Sequence, residues 1–242
     1  MDKGVFYLFA KRHWIVFLIY IMMQIMTAVM SVLLHVVFSI DVSDAALYST
    51  VGSFILGVII ILWILRNDLQ KERFDHPLSI ERIIGWSALG VILAWVAQIF
   101  AVTIEIELLG IEPGSENTEV IVEMTRMNPL FLLIPAISAP ILEELIFRKI
   151  VFGTLYKKVN FIVAALISSV IFGVLHMDFT HLLIYITMGF VFAFLYVKTK
   201  RIIVPIIVHM TLNTVTVLAQ IFIDPEHLDQ IQQDVMMILF GG

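Results

Sequence analysis

The 242-residue chain contains no cysteine. That excludes disulfides, thiolate metal sites and a cysteine nucleophile. Charge is also scarce, at 14% of residues, where a soluble domain carries about a quarter. Basic residues number 15 against 20 acidic ones. With no basic patch interleaved with aromatics, nucleic acid is removed as a partner. Internal repeats, low-complexity tracts and domain linkers are lacking too, so residues 1–242 read as one domain. What fills the chain instead is apolar: 60% of it is hydrophobic.

The apolar residues fall into long uncharged runs, the mark of membrane-spanning helices. Candidate spans are 14–38, 47–65, 83–104, 130–150, 161–176, 181–197 and 202–223. The expected fold is all-α, a polytopic transmembrane bundle of about seven to eight membrane helices. The first run is too long for the apolar region of a signal peptide and no small-residue cleavage site follows, so it is expected to stay in the mature protein. Within this single integral membrane domain, 1–127 holds the N-terminal spans and an acidic outer loop. Residues 128–223 form a core that bears the motifs below, and 224–242 form an amphipathic tail, apolar at Leu228, Ile231, Val235, Met236 and Leu239.

Cytoplasmic loops of membrane proteins are enriched in Lys and Arg. Threading seven spans from a cytoplasmic N-terminus puts every lysine and arginine except Arg126 on the inside. The expectation is therefore an integral protein of the cell membrane with its N-terminus in the cytoplasm. The outer segments are acidic, with Glu105, Glu107, Glu112, Glu116, Glu119 and Glu123 between two spans. A solvated loop is the plain reading; a recruitment surface for a cationic peptide is the sharper one.

Against this background, APILEELIFRKI at 139–150 places three ionisable groups inside an apolar run. Such groups are costly in a membrane and mark interior functional sites. Glu144 and Arg148 are four apart with the acid first, the favourable order for a helical ion pair. Glu143 lies about 100° around the helix from Glu144. It is expected to point away from the pair and remain free, while Arg148 neutralises Glu144. Pro135 and Pro140 each remove a backbone donor, and Ala136, Ser138 and Ala139 are small, which suggests a cavity beside the glutamates. A buried ion pair that only fixes helix packing is the plainer alternative.

Two further stretches carry polar groups at helical spacing. FGVLH at 172–176 puts Phe172 and His176 on one face, and HMTLN at 209–213 does so for His209 and Asn213. Each taken alone reads as packing, an interfacial histidine or an interhelical hydrogen bond. The remaining histidines, His13, His35, His76, His181 and His227, are given no role.

In order, E-E-x-x-x-R, F-x-x-x-H and H-x-x-x-N resemble the motifs of the CAAX-protease and bacteriocin-processing (CPBP, Abi) family of intramembrane proteases. All three are complete, and the resemblance covers about residues 128–220. It implies an endopeptidase acting on a membrane-associated peptide or protein terminus. Glu143 is then the general base that activates water, directly or through His176. Asn213, with His209 beside it, stabilises the oxyanion. Glu144, Arg148 and Phe172 support them. No cofactor is expected; the competing use of these atoms is a zinc site held by Glu143, His176 and His209. A non-catalytic scaffold, immunity or regulatory binding protein of the same family is the functional alternative. One feature resists joint catalysis. Counting along the expected spans, Glu143 and His209 lie about 10 Å deep and His176 about 22 Å, so the fifth span must tilt, start outside the hydrocarbon or have other bounds.

Overall fold

The computed structural model describes residues 9–112 and 114–223. The expected tail at 224–242 lies outside the described residues. Within them the chain is helical and contains no strand. We number the helices α1 (Lys11–Phe38), α2 (Val42–Asp75), α3 (Ile80–Thr103, extended by a π-turn at Ile104–Leu108) and α4 (Glu116–Met127). Then follow α5 (Pro129–Leu155), α6 (Phe161–Val174), α7 (Leu182–Thr199) and α8 (Ile203–Phe222).

Local chemistry explains where these helices begin and end. Ser39, in the left-handed region at φ 53°, closes α1. Asp41 then caps α2 by accepting hydrogen bonds from the N–H and the hydroxyl of Ser43, which hold its carboxyl below the usual carboxylate range. Ser115 and Asn160 cap α4 and α6 in the same manner, as short oxygen-bearing side chains do. Inside the spans, hydroxyls of Thr27, Thr50, Thr211 and Thr214 donate to the carbonyl four residues back. These hydroxyls are satisfied within their own helices, as hydrocarbon requires.

Among the described residues six helices are long and apolar enough to cross a membrane: α1, α2, α3, α5, α7 and α8. The chain is an integral membrane protein. The fifth apolar run behaves differently. Its helix, α6, has 14 residues, about 21 Å, against a hydrocarbon thickness of about 30 Å. The apolar sequence continues, but the backbone leaves the helix after Val174, and Met177 takes a left-handed φ of 57°. Other bounds shift as well. α2 runs ten residues beyond Leu65 to Asp75, and α5 continues past Ile150 to Leu155.

α5 occupies the middle of the bundle. Leu142, Leu145, Ile146, Phe147 and Ile150 from it join Val16 and Met23 of α1, Ile61 and Leu65 of α2, Phe172 of α6 and Ile206 of α8 in one core. A second core packs α3 against α7 and α8. Two glycines allow the close approaches. A Cβ on Gly90 would come within 2.7 Å of Val208 on α8, and one on Gly189 would strike Ser169 on α6.

The bundle has two chemically different ends. At one, Arg12 pairs with Asp68 at 2.8 Å, Lys149 pairs with Glu72, and Arg201 reaches the carbonyl of His76. Glu72 also accepts from the Tyr196 hydroxyl and the backbone N–H of Ile202. At the other, Ser115 donates to Asp178 and Arg126 to the carbonyl of Gln220. The first end gathers basic segments from α1, α2, α5 and the α7–α8 turn; the second carries the glutamates of α4.

Candidate active site

The site grows out of a defect in α5. Around Ile134–Ser138 the helix widens to a π-turn, in which Ala139 donates to the carbonyl of Ile134 five residues back. The next bond of that pattern would run from residue 140 to the carbonyl of Pro135, but residue 140 is proline and has no N–H. The carbonyl of Pro135 is instead met from another helix: Asn213 Nδ2 of α8 donates to it at 3.1 Å. The two prolines thereby fix Asn213, and its second amide N–H stays uncommitted by that bond. A wider turn resumes at Glu144–Phe152, so Glu144 opens that stretch and Glu143 ends the regular turn before it.

Glu144 and Arg148 are almost completely buried, at 0% and 1% exposure. Arg148 Nε lies 3.4 Å from Glu144 Oε2. The guanidinium rests on aromatic faces, its Cζ 4.1 Å from the ring centre of Phe172 and 5.1 Å from that of Phe192. Its terminal nitrogens have no hydrogen-bond partner among the described residues. Cation–π attraction of this kind strengthens when the charge is desolvated, and here it substitutes for missing hydrogen bonds. Phe172 is therefore more than a wall: it touches the arginine, His176 at 4.5 Å and His209 at 6.0 Å between ring centres.

His209 links the glutamates. Its Nδ1 is 2.9 Å from Glu144 Oε1, and a carboxylate there only accepts, so Nδ1 carries the proton. Its Nε2 faces Glu143 Oε2 at 3.6 Å, longer than a hydrogen bond. The expectation that Glu143 is left free needs correction. It avoids Arg148, yet it faces the same imidazole that Glu144 holds. The reason is that α5 alone fixes where the two carboxyls point, whereas α8 supplies a side chain with two nitrogens on opposite edges.

His176 reaches the cavity from the turn after α6. Its Nδ1 is 2.8 Å from the carbonyl of Phe172, so this nitrogen also donates, and in the neutral ring Nε2 keeps a bare lone pair. Tyr185 of α7 stacks on the ring at 4.3 Å and 30°, and Asn117 of α4 donates to the Tyr185 hydroxyl at 3.3 Å. Part of the mismatch in depth comes from α5, which ends at Leu155. Glu143 is then about 18 Å from that end rather than 10.

Glu143, His176, His209 and Asn213 line one cavity of about 370 Å³, together with Phe172. It runs from Phe147 and His209 to Ser115 and Asn117 at the acidic end. Glu144 and Arg148 do not line it. Among the described residues no three His, Cys, Asp or Glu side chains converge as a metal-binding group. Glu143, His176 and His209 thus share the cavity without forming a three-ligand set.

Several lining residues escape the motif reading: Tyr20 and Gln24 of α1, Gln98 of α3, Asn117 and Tyr185. Gln24 and Gln98 were the detectable ones, as uncharged polar residues inside apolar spans. His181 is also on the wall, its Nδ1 bonded to Glu105 Oε2 at 2.9 Å. At a span end it looked like an ordinary interfacial histidine.

Comparison with known proteins gives the same direction. The family model described as Type II CAAX prenyl endopeptidase Rce1-like matches residues 125–215, which include all three motifs. YdiL of Bacillus subtilis, named as a membrane peptidase, is 41% identical across 96% of this chain and 98% of its own length. The membrane-embedded CAAX protease MroQ of Staphylococcus aureus is 33% identical across 78% of this chain and 79% of its own. YxdF of Lactococcus lactis is 40% identical over a shorter stretch, 32% of this chain. No solved structure gives a significant match. With two relatives aligned over most of their length and the motif-bearing helices gathered at one cavity, the chain belongs to the CAAX-protease family of membrane peptidases.

Proposed function

We propose that the protein hydrolyses a membrane-associated peptide or protein terminus with water activated by Glu143. The observation that carries this reading is the separate wiring of the two glutamates. Glu144 is buried and engaged by Arg148 and His209, while Glu143 lines the cavity and faces His209 Nε2 across 3.6 Å. A water hydrogen-bonded to Glu143 in the cavity gives a proton to that carboxylate as its oxygen attacks the scissile carbonyl. The protonated carboxyl then delivers the proton to the leaving amine. His176, with Nε2 bare, accepts or passes a proton at the same water. The uncommitted N–H of Asn213, with His209 beside it, faces the developing oxyanion, where one donor is worth about 3–4 kcal/mol.

A metal-free mechanism is the reading adopted, because among the described residues Glu143, His176 and His209 do not converge as a three-ligand group. His209 donates from Nδ1 to Glu144, and its Nε2 looks at Glu143 across 3.6 Å. Zinc bound by Glu143, His176 and His209 requires these groups to close up around the ion. Activity of the purified protein after exhaustive chelation is expected to persist; loss that zinc alone restores would overturn this part.

The N-terminus is assigned to the cytoplasm and the protein to the plasma membrane. The gathering of Arg12, Lys149 and Arg201 at one end of the bundle supports this orientation. The cavity then reaches towards the outer face. The experiment that tests the whole reading compares peptides and membrane-protein termini from wild-type cells and cells carrying Glu143→Gln. Termini present only in the wild type identify substrates; identical sets would contradict hydrolysis.

A further inference from the structure

Beside the catalytic cavity lies a second one of about 830 Å³. The two share walls at Gln98, Ser115, Thr118, His181, Ile184 and Thr216, so they are neighbouring chambers along one path. Their chemistry differs. The second chamber is bounded by Glu105, Glu112, Glu119 and Glu123, with Arg126 as its one arginine, and that guanidinium donates to the carbonyl of Gln220. Glu119 and Glu123 are exposed. Glu105 is not: it is 2% exposed, its Oε2 is held by His181, and its Oε1 has no hydrogen-bond partner among the described residues. A carboxylate oxygen buried in a chamber wall without a donor is a place that a cationic donor satisfies.

We propose that this chamber is a subsite for a lysine or arginine side chain of the peptide substrate, with Glu105 as its inner anchor and Glu119 and Glu123 at its mouth. The proposal rests on the reading of the neighbouring cavity as the place of peptide hydrolysis. The register follows from α8. Gln220, on the chamber wall, is seven positions after Asn213, about 10 Å along the helix axis. An extended peptide covers that distance in about three residues. The cationic residue therefore sits near the third position from the scissile bond. His181 holds one oxygen of Glu105 and the other has no partner among the described residues; the α4 carboxylates draw the cation in before it is desolvated.

The test uses the full-length protein in nanodiscs and synthetic membrane-anchored peptides, with one lysine or one norleucine placed in turn at each position. Near the third position lysine is expected to win by about tenfold in kcat/KM, carried by KM. Glu105→Gln should bring that ratio close to one. The double variant Glu119→Gln, Glu123→Gln alters only exposed positions and should lower it severalfold. Kd for the same peptides on Glu143→Gln protein should show the same preference without turnover. Cleavage with no preference at any position, or a preference that survives both sets of variants, overturns the subsite and leaves hydrolysis standing. A lysine preference in Kd with no cleavage by the wild type retains the subsite and removes the hydrolytic reading. A preference abolished by millimolar calcium, and not by sodium chloride of equal ionic strength, would reassign the chamber to a divalent cation and overturn the proposal.

Discussion

α1 and α5 are built from the same kind of sequence and meet opposite fates. Both are long, apolar and able to cross a membrane, yet 11% of the apolar window of α1 is buried in the protein against 56% for α5. α1 shows Val32, Val36 and Val37 to its surroundings at 63%, 70% and 62% exposure. α5 hides Glu144 and Arg148 completely. Apolar content therefore identifies a span without saying which solvent it faces. In a bilayer an aliphatic side chain is equally at home against lipid or protein, so the few polar groups decide which helix becomes the centre.

The largest way to break this contrast is Glu144→Gln. It strands the buried Arg148, whose terminal nitrogens already lack hydrogen bonds, and leaves His209 Nδ1 only an uncharged amide oxygen to donate to. Losing one partner of a buried charge pair costs about 3–5 kcal/mol; thermal unfolding in detergent should show a large fall in Tm. Asn213→Ala comes next. It removes the proposed oxyanion donor and leaves the Pro135 carbonyl without its partner, so kcat should fall about 10²–10³-fold, with a smaller loss of stability. Phe172→Leu keeps an apolar side chain but takes the ring from Arg148 and His176, a loss of about 1–2 kcal/mol read in the same unfolding assay. At the other extreme, Val36→Ala on α1 should change stability by less than about 0.5 kcal/mol. A large effect at Val36 would mean that α1 packs against another protein.

The contrast also explains what could be read from the sequence. The motif residues of α5, α6 and α8 stand out because ionisable or amide groups are rare in apolar runs, and the order of the motifs raises the signal further. The basic end was legible for a similar reason, since Lys11, Arg12, Lys149 and Arg201 punctuate the runs. The shortness of α6 was hidden because hydropathy continues through Leu175 while the backbone turns. The role of His209 as a bridge was hidden too, because helical spacing within α5 gives the angle between Glu143 and Glu144 but says nothing about a ring arriving from α8. Glu105 and His181 were invisible as a pair: 76 positions separate them, and each sits at the end of a run, where polar residues are ordinary.

The account turns on Glu143 as the proton acceptor, set apart from a neighbour that maintains structure. Its most direct test is peptide hydrolysis by purified Glu143→Gln, with Tm recorded on the same sample. The expected result is a rate lowered by about 10²–10⁴-fold at an unchanged Tm, since the amide keeps the shape of the carboxyl and Glu144 still holds His209 and Arg148. Hydrolysis at the wild-type rate would contradict the account, and so would a lost rate explained entirely by a lost fold.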